Sequence, residues 1–181
     1  MIRAFNGVFP QIDPTAFIAE SAAVIGDVHI GFESSLWYNV VVRGDVNFIR
    51  IGARTNIQDL SILHVSGRKS ANNPGEALLV GNDITIGHNV SLHGCRIDDG
   101  AFIGMKSIIM DRALIGKCAM IGAGSLVAEG TIIPPRTLWM GSPAKFRREL
   151  TPLELARAAE TGAGYIELAR QYHRESFSLK A

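Results

Sequence analysis

Three of the five histidines in this chain of 181 residues, His64, His88 and His93, lie within one stretch of thirty residues. Neutral imidazole is a common metal ligand, and three imidazoles can bind zinc while leaving a fourth position open for water. The pattern is not an HExxH motif, and the spacing of His88 and His93 is a weak signal by itself. An isolated outward histidine is more often a solvated surface residue, so the fold must decide whether the three come together.

A repeat of six residues indicates the elements that would position these histidines. Aliphatic residues recur with this period from residue 12 to residue 133, interrupted by two insertions and one deletion. The next residue is often glycine, and the residue four positions after the aliphatic one is small or β-branched. This period fits a short strand followed by a tight corner, three of which close one turn of a triangular coil. We expect the aliphatic side chain to point inward, the small one to pack at the corner, and the glycine to relieve the turn.

The repeat resembles that of hexapeptide-repeat proteins, which form a left-handed parallel β-helix. On this basis residues 10–145 are predicted to form a mainly β structure of this kind. The left hand is implied by the resemblance alone, because the general rule for parallel crossovers favours the opposite hand. The length of the chain predicts one domain, covering residues 1–181.

A C-terminal helical segment, packed along the β-helix, is predicted over residues 151–176. Thr151 as the N-cap, Pro152 at the first helical position and Glu154 three residues after the cap form a capping box. Because glycine disfavours the interior of a helix, Gly162 and Gly164 predict a kink or two short helices.

Two insertions interrupt the repeat before Leu92. Three extra residues occur around Phe48 to Arg50, and a longer segment lies within Ser66 to Leu79. Insertions in a solenoid become loops, often on the functional side. Both segments are therefore expected to be loops near a functional surface.

Counting repeats brings two of the histidines together. Positions three hexapeptides apart lie on the same face of successive turns, about 4.8 Å from each other. The count stacks Leu63 on Leu92, so His64 and His93 become neighbours, with Arg43 one turn earlier in the same column. Two imidazoles in this arrangement can reach one metal ion.

His88 belongs to a different face of the coil, because the same count places Gln58 and Asp59 beneath Gly87 and His88. A rigid prism is not expected to bring all three histidines together. The simplest solution is a closed cyclic homotrimer, in which His64 and His93 meet His88 of the partner subunit. Asp59 or Gln58 could then accept a hydrogen bond from the second nitrogen of a ligating imidazole.

Four short motifs carry a more specific resemblance: RGD at 43–45, QD at 58–59, LH at 63–64 and IGHNVSLHG at 86–94. They resemble the γ-class carbonic anhydrases and related bacterial hexapeptide proteins, over the β-helix and the terminal helix. The resemblance implies that His64, His88 and His93 bind the metal from two subunits of a homotrimer. It implies zinc as the cofactor, although three imidazoles and a water also accept Co²⁺ or Fe²⁺.

The resemblance also assigns roles to four polar residues. Arg43 is implied to form an intersubunit salt bridge with Asp59, and Gln58 to orient the metal-bound water or hydroxide. Asp45 is implied to belong to the interface network. An ordinary structural ion pair is the alternative for Arg43 and Asp59, and it does not exclude the other role.

The activity implied by the resemblance is the reversible hydration of CO₂ to bicarbonate by metal-bound hydroxide. Three neutral histidines can lower the pKa of a zinc-bound water to about 7. The sequence departs from the best-characterised family members in its proton route, since Val46 stands where they have a glutamate. The segment from Ser66 to Leu79 offers Glu76 as its one carboxylate, near Arg68 and Lys69. We therefore expect a zinc-dependent lyase whose turnover is slow unless Glu76 or buffer carries the proton.

Two other functions stay open on such a fold. A hexapeptide acyltransferase would use CoA and an intersubunit histidine as general base. A non-catalytic scaffold would form a metal-binding trimer without turnover.

Composition narrows the range of partners. Lys and Arg number 18 against 17 Asp and Glu, and a net charge of +1 predicts neither nucleic-acid nor membrane binding. The chain shows no secretory signal and no long apolar run, so a cytoplasmic protein is expected. Cys95 and Cys118 lie outside any CxxC motif, which predicts two free, buried or half-buried thiols.

Overall fold

The repeat of six residues builds a parallel β-helix, seen in a computed structural model that describes residues 1–178. Inward side chains six residues apart, such as Ile103, Ile109, Ile115 and Ile121, are fully buried in one continuous core. The mainly β class predicted from the repeat is confirmed.

Twenty strands, most of them two or three residues long, precede one helix in the described part of the chain. In order they are β1 (Ile2–Arg3), β2 (Gln11–Ile12), β3 (Phe17–Ile18), β4 (Ala23–Ile30), β5 (Ser35–Leu36), β6 (Val41–Ile51), β7 (Asn56–Ile57), β8 (Ile62–His64), β9 (Leu78–Val80), β10 (Thr85–Ile86), β11 (Ser91–His93), β12 (Arg96–Ile97), β13 (Phe102–Ile103), β14 (Ile108–Ile109), β15 (Leu114–Ile115), β16 (Met120–Ile121), β17 (Leu126–Val127), β18 (Ile132–Ile133), β19 (Thr137–Met140) and β20 (Lys145–Glu149), followed by α1 (Pro152–Ser178).

The strands form two sheets. The 12-stranded sheet follows the order β17-β14-β11-β8-β6-β9-β12-β15-β18, with β4 beside β6 and with β1 and β2 beside β4. The 8-stranded sheet follows the order β20-β19-β16-β13-β10-β7-β5-β3. Neighbouring strands run parallel, except that β19 and β20 are antiparallel. This order makes β8 and β11 neighbours and puts β10 in the other sheet.

The glycines of the repeat act differently from our expectation. The corner itself is made three residues after the inward aliphatic, where Asn89 and Arg112 have φ values of 58° and 59°. Glycine directly after the aliphatic allows adjacent turns to approach: a Cβ on Gly52 would lie 2.6 Å from the carbonyl oxygen of Gly81. These glycines therefore relieve crowding between turns, and the prediction that they relieve the corner is wrong.

The first insertion lies earlier in the chain than expected. Gly26 pairs with Gly44 and Val28 with Ile49, so the three extra residues fall between Gly44 and Ile49. The position predicted around Phe48 to Arg50 is wrong, because the buried Ile49 has already rejoined the regular pairing. Asp45 consequently lies in the insertion.

The C-terminal segment is one continuous helix, α1, so of the two alternatives predicted at Gly162 and Gly164, a kink or two short helices, the two short helices are wrong. Beyond the two glycines, Ala169 packs in a cluster with Phe17 and Trp37 of the β-helix. This burial offsets the cost of about 1 kcal/mol for each glycine in a helix.

The capping box predicted at the start of α1 is confirmed. The backbone N–H of Thr151 donates to Oε2 of Glu154 at 2.9 Å, and the N–H of Glu154 donates to Oγ of Thr151 at 3.3 Å. Arg148 also donates to Glu154, at 2.7 Å. The hydrogen bonds from Arg148 and then from Thr151 lower the pKa of Glu154 to about 2.

Both cysteines are free, Cys95 buried and Cys118 half-buried, as the sequence predicted. Burial raises the pKa of the Cys95 thiol to about 12. Within residues 1–178, no helix has the length and apolar character needed to cross a membrane.

Candidate metal centre

His64 and His93 end two adjacent strands of the 12-stranded sheet. Strands β8 and β11 pair with Leu63 opposite Leu92 and His64 opposite His93, so the stacking predicted from the repeat is confirmed. Both leucines are buried, which fixes the register, because a slip of one residue would turn them outward. The imidazoles project outward at the end of their strands with ring centroids 5.2 Å apart.

The two rings face each other through unlike nitrogens. Nδ1 of His64 lies 3.2 Å from Nε2 of His93. Zinc–nitrogen bonds of about 2.0–2.1 Å and tetrahedral angles separate two nitrogen ligands by about 3.3 Å. The pair therefore has the spacing of two ligands on one tetrahedral ion.

A carboxylate from the first insertion holds His64. Nε2 of His64 lies 3.0 Å from Oδ1 of Asp45, and Arg43 forms an ion pair with the other carboxylate oxygen. Burial raises the pKa of Asp45, but the hydrogen bonds from His64 and Arg43 outweigh it, and the pKa falls below its ordinary value. Asp45 is therefore charged at neutral pH and leaves Nδ1 of His64 free to face His93.

A second carboxylate, which the sequence analysis missed, holds His93. Nδ1 of His93 contacts Oδ1 of Asp111, and the hydroxyl of Ser66 donates to Oδ2 of Asp111 at 2.6 Å. Burial raises the pKa of Asp111, but the hydrogen bonds from Ser66 and His93 reverse this effect, and the pKa is lowered. Asp111 lies one turn further along, beside Gly94, so a search of the positions adjacent to the histidine column would have found it.

His88 follows β10 in the 8-stranded sheet and lies apart from the other two histidines. Its Nδ1 lies 2.8 Å from Oδ2 of Asp59, so the predicted placement of Asp59 beside His88 is confirmed, whereas the role of Asp59 as a hydrogen-bond acceptor stays a prediction. The other oxygen of Asp59 accepts the backbone N–H of Tyr38 at 3.2 Å. Nε2 of His88 is left as the nitrogen available to a ligand.

Gln58 pairs with a neutral side chain, and Arg43 shares the carboxylate of Asp45 with His64. Gln58 is buried, and its Nε2 donates to Oδ1 of Asn56 at 3.1 Å. Its placement beneath Gly87 follows from the pairing of β7 with β10. Arg43 pairs with Asp45 within the chain, so its salt bridge to Asp59 across an interface stays a prediction.

The two insertions pack against each other beside the histidines. The side-chain amide of Asn47 donates to the carbonyl oxygens of Ser66 at 3.1 Å and Pro74 at 3.3 Å. Glu76, near the end of the second insertion, lies 3.6 Å from Nη1 of Arg112. Val46 is exposed at the position where a glutamate was expected from the resemblance.

An exposed apolar column runs along the same face as the histidine pair. Val41, Ile62, Ser91, Ile108 and Leu126 are stacked one above another on successive turns. Ile62 and Ile108, which lie two turns apart with Ser91 between them, are 50% and 43% exposed. In residues 1–178 of a single chain, no three potential ligand side chains converge closely enough to hold a metal.

Comparison with known proteins gives the family. No protein-family model matches the chain. Carbonic anhydrase of Geobacillus kaustophilus is 48% identical, over 95% of this chain and 91% of its own. Protein YrdA of Escherichia coli is 42% identical, over 95% and 94% of the two chains. Gamma carbonic anhydrase 1, mitochondrial, of Arabidopsis thaliana is 43% identical over 96% of this chain, which spans 64% of the plant protein's length.

Solved structures give the same architecture under other names. A Bacillus cereus protein, described as a candidate acetyltransferase, is 45% identical with a TM-score of 0.89, covering 95% of this chain and 96% of its own. A hexapeptide transferase family protein of Anaplasma phagocytophilum is 42% identical with a TM-score of 0.88. The match covers 95% of this chain and 98% of the Anaplasma chain. The fold and the histidine–carboxylate pairs define a hexapeptide-repeat protein with a candidate metal centre. Within that class, the chain belongs to the γ carbonic anhydrase family.

Proposed function

We propose that this protein is a zinc-dependent γ-class carbonic anhydrase, which hydrates CO₂ reversibly to bicarbonate at three equivalent sites in a homotrimer. The observation that carries the proposal is the pairing of all three predicted ligands with carboxylates: His64 with Asp45, His88 with Asp59 and His93 with Asp111. Metal-binding histidines usually donate their second N–H to such an acceptor.

Contacts with carboxylates sort the six ring nitrogens into two groups. In each histidine one nitrogen meets a carboxylate, and the other is left to bind a ligand: Nδ1 of His64, Nε2 of His88 and Nε2 of His93. His64 and His93 would hold the ion from one subunit, and His88 of the partner subunit would complete the set. Zinc bound by three neutral imidazoles lowers the pKa of a water in its open position to about 7, which gives a nucleophile at neutral pH.

The remaining residues would orient the reactants and move the proton. Asn56 accepts a hydrogen bond from the amide of Gln58 and so fixes it. We propose that this amide orients the attacking water. Asp45 and Arg43 would hold His64 in place at the interface. Glu76 is the carboxylate of the second insertion and the candidate proton acceptor, since Val46 cannot take a proton.

The trimer is supported by the column of Ile62 and Ile108 on the face that carries His64 and His93. Burying these side chains against another subunit would remove apolar surface from water. Closed rotational symmetry then repeats the same contact three times and places one site at each interface.

The test combines metal analysis with stopped-flow CO₂ hydration on the wild type, His64→Ala and His29→Ala. His29 lies on β4, away from the centre, and serves as the matched histidine control. We expect one zinc per chain and measurable hydration in the wild type and His29→Ala, and the loss of both in His64→Ala. If the protein binds Co²⁺ or Fe²⁺ in place of zinc, only the identity of the metal in the proposal changes.

Two outcomes would replace the proposal. The name of the Bacillus cereus protein suggests transfer of an acetyl group, so CoA binding without bound metal would favour an acyltransferase. A metal-loaded trimer that hydrates neither CO₂ nor a test ester would be the scaffold alternative.

The cytoplasmic location expected from the sequence is a further part of the proposal. Plant relatives are named as mitochondrial proteins, whereas the bacterial ones carry no such word. Fractionation of the source cell followed by immunoblotting would decide between the cytoplasm and another compartment.

A further inference from the structure

We propose that Asp111 and Ser66 form a positioning pair that fixes the tautomer and orientation of His93, and thereby makes the second insertion part of the metal centre. The inference rests on the proposed function for its metal, but its geometry belongs to a single chain. Neither residue touches the reacting atoms, so both act through His93.

The turn after His93 is shaped to admit the carboxylate. Strand β14 pairs with β11 so that Ile109 lies opposite Leu92, which brings Asp111 beside Gly94. A Cβ on Gly94 would lie 2.5 Å from Oδ1 of Asp111, too close for any side chain. The glycine immediately after the ligand therefore leaves the space in which Asp111 reaches Nδ1 of His93.

Both oxygens of Asp111 are engaged, which fixes the plane of its carboxylate. Oδ1 meets His93, and Oδ2 accepts the hydroxyl of Ser66 at 2.6 Å. The Asp111 side chain is only 13% exposed. A carboxylate held at one oxygen could rotate away from the imidazole, whereas this one is held at both.

Ser66 is itself fixed by the two insertions. Its backbone N–H donates to the carbonyl oxygen of Glu76 at 3.0 Å, and the N–H of Glu76 donates back to Ser66 at 3.0 Å. The side chain of Asn47, in the first insertion, donates to the carbonyl oxygen of Ser66. The first insertion thus supplies the acceptor for His64, and the second supplies the donor that orients the acceptor for His93.

The consequence is control over which nitrogen of His93 carries hydrogen. While Nδ1–H donates to Asp111, Nε2 keeps the lone pair that a metal needs. Without Asp111, the hydrogen can move to Nε2, which lies 3.2 Å from Nδ1 of His64 and can donate to it. The two histidines would then bond to each other, and the ligand nitrogen would be blocked.

The experiment measures the His93 tautomer by ¹⁵N NMR in metal-free protein at pH 8, and zinc affinity by competition with a chromophoric chelator. The variants are Asp111→Ala, Asp111→Asn, Ser66→Ala and the control Asp98→Ala, whose carboxylate pairs with Arg96 on another face. We expect Nδ1–H in the wild type and a shift to Nε2–H in Asp111→Ala. Zinc affinity should fall about 10- to 100-fold in Asp111→Ala, less in Ser66→Ala, and not in Asp98→Ala.

Asp111→Asn keeps an oxygen that can accept from His93, so it should preserve the Nδ1–H tautomer and most of the affinity. If Asp111→Ala does not fold, the loss of zinc affinity expected in Ser66→Ala provides the measurement. An unchanged tautomer or unchanged zinc affinity in a folded Asp111→Ala would overturn the positioning role of Asp111. Unchanged zinc affinity in Ser66→Ala would overturn the contribution of Ser66, and with it that of the second insertion. Failure of the proposed function is distinguishable, because a wild type without zinc affinity can still show the tautomer shift in Asp111→Ala.

Discussion

His64 and His93 face each other across two neighbouring turns, with Nδ1 of the first 3.2 Å from Nε2 of the second. Each ring contacts a carboxylate through its other nitrogen, so the two nitrogens that remain face each other. His88 follows a strand of the other sheet, so under the proposed function a complete set of three ligands requires a neighbour. Metal binding and assembly are therefore expected to depend on each other.

The first prediction is that removing zinc weakens the trimer. A ligand that binds only the assembled state stabilises it by about 2.7 kcal/mol per site at a concentration of 100 times Kd. Sedimentation velocity over a dilution series should show chelated wild type dissociating at a higher protein concentration than zinc-loaded protein. His88→Ala should behave as the chelated wild type does, with or without zinc. Identical dissociation of loaded and chelated wild type would mean that the metal does not bridge subunits.

The periodic part of this molecule could be predicted from the sequence because the core enforces it. Each turn buries an aliphatic residue at the same phase, so an error of one residue would expose a whole column. That constraint made the stacking of His64 on His93 predictable across an insertion of unknown shape. It also placed Gln58 and Asp59 beneath Gly87 and His88.

The errors fall where a side-chain contact or tertiary packing decides the outcome. Asp111 was missed because the repeat gives the column of a residue but not the rotamer that brings its carboxylate to His93. The two short helices expected around Gly162 and Gly164 followed helix propensity, which is a weak guide when α1 packs on the β-helix. The first insertion was misplaced because both Ile49 and Ile51 fit an inward position.

The second prediction concerns the apolar column beside the histidines. Ile62→Asp places a carboxylate in the proposed subunit interface, where burying an unpaired charge is strongly unfavourable. Light scattering after size exclusion should show monomers for Ile62→Asp and trimers for the wild type. Ile132→Asp is the matched control, since Ile132 is 69% exposed on β18, on another face. The proposed interface would be wrong if Ile62→Asp stays trimeric while Ile132→Asp dissociates.

The third prediction uses the capping box of α1. The pKa of Glu154 is about 2 in the folded protein, below the value of about 4.3 for a free glutamate. Its depressed pKa means that Glu154 stabilises the fold fully above about pH 4.3, and that this contribution is lost as the pH falls towards 2. The difference in unfolding free energy between wild type and Glu154→Gln should therefore shrink as urea titrations move from pH 6 to pH 2.5. A difference that is constant over this range would show that the charge of Glu154 contributes nothing.

The fourth prediction addresses the proton route that the sequence left incomplete. Glu76 lies next to the Gly94 turn that follows His93 and is 3.6 Å from Arg112. If Glu76 accepts the proton, Glu76→Gln should lower the CO₂ hydration rate in dilute buffer, by up to roughly the 10²-fold typical of a lost proton-transfer group. Added imidazole buffer should restore the rate, because it replaces the missing acceptor.

Glu129→Gln is the control for this variant, since Glu129 forms an ion pair with the same Arg112. A role through Arg112 alone would make the two variants equally slow and insensitive to imidazole. A rate in Glu76→Gln equal to that of the wild type at every buffer concentration would exclude Glu76 as the acceptor. Because Val46 cannot accept a proton, buffer would then accept the proton directly from the site. The wild-type rate itself should in that case rise with buffer concentration.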